Sequence, residues 1–293
     1  MRQLWLVLAL CLAAPLPAAA LQVAATTPNM GMLARTVGGQ HVAVAVLAPG
    51  DRDVHHLEAR PSMMVALRRA DLLVAVGGEL EVGWLPAALR GASNPGILPG
   101  RPGYFEAAAA VPLIGAGAVA SRAGGDVHPM GNPHIYFDPL RMAAAAEALA
   151  EQLAVLDGAN AATYAANARD FSARMQREVE GWRVRVTSAA GAVPYHKDAD
   201  YLFAVLGVPV LGYLEPLPGI PPTARHIRDL VDELQGKEGV IFHMVYEPAS
   251  GPERLARELG WPVFRMRNNV AEHGTADDYV ALIEQWVARL ETR

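Results

Sequence analysis

The sequence predicts an α/β fold: two lobes, each with a mostly parallel sheet flanked by helices, joined by one long, rigid backbone helix. Three observations carry this expectation. Short β-rich runs alternate with helical patterning in both halves of the 293-residue chain. Hydrophobic residues make up 52% of it and charged residues 19%, a balance that can bury a core. Between the halves, Tyr164, Phe171, Met175, Val179, Trp182 and Val186 follow one another at intervals of 7, 4, 4, 3 and 4 residues. That spacing is one face of an amphipathic helix of about seven turns.

Taken in order, residues 1–20 read as a secretory signal. Arg2 supplies the positive start, an apolar stretch follows, and Ala18-Ala19-Ala20 offers a small-residue cleavage site. Export and cleavage near Ala20 are therefore expected. The single cysteine, Cys11, falls inside this segment, and Leu10 stands where lipid attachment would want a small residue. A mature chain without thiolate must build any tight transition-metal site from His, Asp and Glu.

The first lobe is expected over residues 21–157. Residues 21–27 read as a strand, and 42–50 as a β-rich run closing in a Pro-Gly turn. A helix is expected over 61–70, a buried strand over 70–78, a helix around 84–89 and a Pro/Gly-rich loop over 94–103. Asp138 is a natural N-cap and Pro139 a natural first helical residue for an Ala-rich helix reaching Leu156. The backbone helix is assigned to 158–187. The second lobe, 188–293, repeats the pattern: strands over 191–196, 208–214, 239–246 and 262–267, with helices over 223–235, 250–259 and 276–290.

The net charge of −5, with no run of Lys or Arg, argues against a nucleic-acid partner, which would need a basic footprint. Among the nine histidines, three stand at comparable places. His55 follows a strand and a Pro-Gly turn, His134 sits in GNPHIYFDP before a helix, and His196 closes a strand. Loops at the carboxyl ends of parallel strands gather at the ligand crevice. A shared metal site and three unrelated surface or capping histidines both fit that placement.

Three stretches also carry a resemblance. Asp53, His55, Glu58 and Pro61 match D-P-H-x-x-E-x-x-P, with Val54 in place of the proline. Gly131, Pro133, His134, Asp138 and Pro139 match G-N-P-H-x-W-x-D-P, with Tyr136 for the tryptophan. Tyr195, His196 and Tyr201 match a strand-end H-x-A-F-x-Y pattern. In this order, around a long central helix, the chain resembles the zinc- and manganese-binding solute-binding proteins of bacterial ABC importers. The resemblance implies a periplasmic monomer with metal in the cleft between two lobes, held by His55, His134 and His196. It also implies docking on a permease in the inner membrane, and leaves open loading by a periplasmic metallochaperone. A histidine at the third position favours Zn²⁺ over Mn²⁺, which takes more carboxylate oxygen.

The sequence departs from the family at the fourth ligand. Where an aspartate is usual, it reads FRMRNNVAEHG, so Asn268, Asn269, Glu272, His273 or water is left for that position. His56 and His128 rank lower as ligands, and His243 reads as a core or cleft residue. Glu215 is a candidate to orient an imidazole. The rival reading is an exported zinc hydrolase that uses the same histidines, with Glu272 or Glu215 as base. It lacks both H-E-x-x-H and G-x-S-x-G.

Overall fold

A computed structural model describes residues 20–116 and 128–291. The signal-sequence reading and Cys11 lie outside them, apart from Ala20. Among the described residues, no helix is long and apolar enough to cross a membrane.

The chain opens with β1 (Leu21–Ala25), whose last residues are buried. Thr27 then accepts the Met30 amide and Pro28 opens α1 (Pro28–Gly38). This N-cap and proline pair fixes a helix that the two glycines inside it had obscured in the sequence. β2 (Val42–Val46), α2 (Pro61–Arg69), β3 (Leu72–Ala75), α3 (Leu85–Ala92) and a short β4 (Tyr104–Glu106) complete the first sheet. Its order is β2-β1-β3-β4, and every pairing is parallel. Parallel pairing needs helical crossovers, and these place all the strand C-termini on one edge.

Asp138 accepts the amides of Leu140 and Arg141 and so starts α4 (Pro139–Leu156). A long α5 (Ala161–Arg185) follows, burying Tyr164, Phe171, Met175, Val179 and Trp182, the stripe expected from the spacing. α5 packs on α4 and α1 from the first half of the chain and on elements of the second half.

The second sheet holds β5 (Ala192–Pro194), β6 (Val240–Met244) and β7 (Val263–Met266), in that order and all parallel. Around it lie α6 (Asp200–Leu206), α7 (Ala224–Leu234), α8 (Ser250–Leu259) and α9 (Ala276–Leu290). The strand expected over 208–214 does not form. This segment runs beside β5 with one bridge, Ala192 to Val210, and the Leu211 and Leu214 amides donate to the Ala192 and Pro194 carbonyls. Pro194 has no N–H to return the next bond, so the ladder does not continue in register. α1, β4 and α6 are elements that the sequence reading did not anticipate.

One continuous core runs through both halves, and a smaller cluster lies beneath α7 and α8. At its centre Trp286 packs on Phe242 at 4.8 Å and edge-on to Phe137 at 5.1 Å between ring centroids. Phe137 comes from the first half and Phe242 from the second. Residues from both halves of the chain therefore share one packed interior.

Candidate metal centre

His55 lies in a short 3-10 turn, residues 54–56, beyond the end of β2. Asp53 opens that turn: its Oδ1 accepts the His55 backbone N–H at 2.9 Å and the ring Nδ1–H at 2.8 Å. His134 repeats the device. Asn132 Oδ1 accepts the His134 backbone N–H at 3.0 Å and its Nδ1–H at 2.7 Å. Asn132 Nδ2 donates to the Lys197 carbonyl at 2.8 Å, which fixes which end of the amide faces the ring. His196 follows β5, and its Nδ1–H donates to Glu215 Oε2 at 2.7 Å.

Each Nδ1 thus carries a proton toward an acceptor, and each Nε2 keeps its lone pair for something else. The structure brings these three rings together. Their centroids lie 5.1 Å apart for His55–His134, 5.6 Å for His55–His196 and 5.3 Å for His134–His196. One ligand atom from each residue falls within 4.8 Å of those of the other two. First-half residues supply two of the rings and a second-half residue the third.

The electrostatics suit a cation. Burial, and then the neighbouring imidazoles of His55, His196 and His128, hold the His134 pKa well below its usual value. Burial also opposes charge on His196, but its bond to Glu215 and the charges of Asp198, Glu215 and Asp53 outweigh that and raise its pKa. Burial works upward on Asp53, while its bond to His55 and the charges of His55 and His56 bring it down to about 2. Asp198, almost fully buried, is pushed up to about 6, chiefly by burial. Glu247 is raised well above its usual range by burial and by Asp198. Asp53, held ionised, places negative charge against the His55 ring, which favours a cation beside it.

The remaining histidines sort plainly. His128 approaches the cluster: its Nε2 is 3.2 Å from His55 Nε2. Its place in a Gly-rich run gave no measure of that proximity. His56 is exposed, with Nε2 3.7 Å from Asp53 Oδ2. His243 is buried on β6 and stands outside the three-histidine group. His41 lies edge-on to Tyr164, and His226 Nε2 bonds the Tyr213 carbonyl.

Of the residues weighed for the fourth position, Asn268 donates to Tyr246 Oη at 2.7 Å and Asn269 to Asn268 Oδ1 at 3.1 Å. Asn268 is thus engaged at both ends of its amide, whereas Asn269 Oδ1 is buried with no hydrogen-bond partner among the described residues. Glu272 and His273 stand exposed on the surface. The acceptor roles of Asp53 and Asn132 were not foreseen, although the signal was present: D-x-H and N-x-H place an oxygen two residues before the ring in both motifs.

Comparison with known proteins agrees with this architecture. The family model described as "ZnuA: Zinc-uptake complex component A periplasmic" matches residues 23–293. A crystal structure of ZnuA superposes with a TM-score of 0.75 at 22% identity, covering 92% of this chain and 99% of that one. FpvC from Pseudomonas aeruginosa, a solute-binding protein solved in complex with Mn²⁺, gives 0.78 at 22% identity, covering 92% and 97%. The laminin-binding protein Lmb of Streptococcus agalactiae, described as having adhesin and metal transporting activity, gives 0.74 at 20% identity, covering 92% and 99%. With a family match spanning nearly its whole length, the chain belongs to the ZnuA family of metal-binding solute-binding proteins.

Proposed function

We propose that this protein captures Zn²⁺ in the periplasm and delivers it to an ABC-type importer in the inner membrane, without catalytic turnover. The observation that carries the reading is the convergence of His55, His134 and His196 with all three Nδ1 atoms tied back. Zinc takes imidazole nitrogen at about 2.0–2.1 Å in a tetrahedron, so its ligand atoms stand about 3.3 Å apart. The rings need to close by only a fraction of their present separation.

His128 is the group placed to complete the tetrahedron, because its Nε2 already stands near that edge length from His55 Nε2, at 3.2 Å. Four nitrogens, with no carboxylate in the converging group among the described residues, favour Zn²⁺ over Mn²⁺. The division into lobes 21–157 and 188–293 about a helix over 158–187 gives each lobe a share of the ligands.

The lobes are tied beside the site. Tyr201 Oη donates to the Asn132 carbonyl at 2.6 Å and accepts the Ile114 amide at 2.9 Å. Asn29 Nδ2 donates to the Asn268 carbonyl, and Asn29 Oδ1 accepts the Val270 amide. Capture therefore proceeds through small ring and loop adjustments in a largely preformed site, with the metal's binding energy favouring the closed arrangement.

Competitive titration against a chromophoric zinc chelator tests the proposal. One tight Zn²⁺ per chain, lost in His134→Ala and outcompeting Mn²⁺, is the expected result. Stoichiometric binding that survives the substitution would remove its basis.

A further inference from the structure

A second cavity, of about 460 Å³, opens in the first half of the chain at the carboxyl ends of β3 and β4. Its size is within the range that takes small organic ligands, and its position is where parallel sheets present their ligands. Apolar side chains form most of the wall, among them Leu85, Leu89 and Leu113. At the mouth, Val82 (47% exposed) and Met130 (63%) leave apolar surface in solvent.

Among the described residues, Glu106 lines the cavity beside Glu79, and the exposed Arg90 is the cation in the wall. Glu81, also in the wall and 3% exposed, is fully engaged: it accepts from Thr26 Oγ1 at 2.6 Å and from the amides of Val76 and Gly77 at 2.8 and 3.1 Å. Tyr104 Oη donates to Glu106 Oε1 at 2.7 Å, so Glu106 keeps its second oxygen as an acceptor for a guest.

The backbone is specialised here. Gly77, Gly78 and Glu79 all hold left-handed conformations, at φ of 79°, 59° and 70°. Glycine tolerates this, but a glutamate at positive φ is strained, and such strain collects at ligand clamps. A Cβ on Gly77 would stand 2.7 Å from Glu106 Cβ, so the glycine lets the Glu106 side chain lie against the turn.

From these features we infer that the cavity binds an organic ammonium ion with an apolar tail of about phenylalkyl size, its charged head on Glu106 and its tail against the leucines. The site is separate from the three histidines, so it is tested on metal-free protein, and its failure would leave the zinc proposal standing.

The experiment is isothermal titration of the EDTA-treated, dialysed protein with 4-phenylbutylamine, 4-phenylbutanol and 4-phenylbutyrate. The amine is expected to bind one per chain, at least about tenfold more tightly than the alcohol, with the acid weakest. Glu106→Gln should bring amine and alcohol to within about twofold of each other. Ala109→Trp, at an exposed position on the cavity wall, should weaken both by filling the space. Circular dichroism melting checks that both variants fold. Absence of binding, equal binding of the three probes, or unchanged amine preference in Glu106→Gln would each overturn the inference.

Discussion

The two halves of the histidine cluster are held in different ways. In the first half of the chain, His55 and His134 are braced by residues two positions earlier, Asp53 and Asn132, whose oxygens also bind the backbone of the histidine they orient. In the second half, His196 is braced across nineteen residues by Glu215. Glu215 Oε2 is shared with the Gly219 amide at 2.9 Å, in a turn between the exposed Leu217 and Ile220. The first arrangement is built into a local turn and survives changes elsewhere. The second depends on a loop that must arrive correctly from a distance. In the proposed capture of Zn²⁺, the difference would make the first half a fixed platform and His196 the adjustable ligand.

The largest effect expected is on the platform's own ligand. His134→Ala should lower zinc affinity by far more than about a hundredfold, the upper end for an orienting residue, as read by chelator competition. A smaller loss would mean that the other rings bind without it.

The contrast itself is tested by the braces. Glu215→Ala should cost close to about a hundredfold in zinc affinity, because His196 loses both its orientation and its tautomer. Asn132→Ala should cost nearer to about tenfold, since His134 is buried and its ring is also packed against Tyr136. The reverse order would show that the local brace matters more than the distant one.

Proton competition gives the next effect. Ligation needs neutral imidazole, and the His196 pKa is raised whereas that of His134 is held low. As pH falls from about 8 to about 5.5, His196 takes its proton first, so affinity should decline from above the ordinary histidine pKa of about 6.5, while His134 resists. NMR titration of the metal-free protein should show the two imidazoles protonating in that order.

The smallest effect concerns the tie between halves. Tyr201→Phe removes the bonds to the Asn132 carbonyl and the Ile114 amide and should cost about 1–3 kcal/mol in unfolding free energy. Zinc affinity should change less than in Asn132→Ala, because the N-x-H brace remains.

Much of this was legible in the sequence, for physical reasons. The α5 stripe was readable because a helix repeats its buried face every three or four residues, and α4 because Asp138-Pro139 is a strong start signal. α1 was obscured by Gly31 and Gly38, which low propensity argues against but tertiary packing tolerates. The chain passes close there: a Cβ on Gly31 would fall 2.7 Å from the Val46 side chain. Residues 208–214 looked like a strand by composition and do lie along β5, but Pro194 has no N–H to extend the ladder beyond the Ala192–Val210 bridge.

At the site, positions at strand and turn ends left a shared site open, and the motif resemblance singled out His55, His134 and His196, the three histidines that converge. The approach of His128 to His55 was not, because contact across 73 residues leaves no periodic trace. The engagement of the Asn268 amide by Tyr246 and Asn269 was equally invisible to spacing.

The central claim is that imidazole nitrogens from both halves of the chain meet on one ion. X-ray absorption at the zinc edge of the 1:1 loaded protein measures this directly. The account predicts a shell of nitrogen at about 2.0–2.1 Å with the outer-shell scattering of at least three imidazole rings, reduced by one ring in His196→Ala. A shell dominated by oxygen, or an imidazole count unchanged by that substitution, would contradict it.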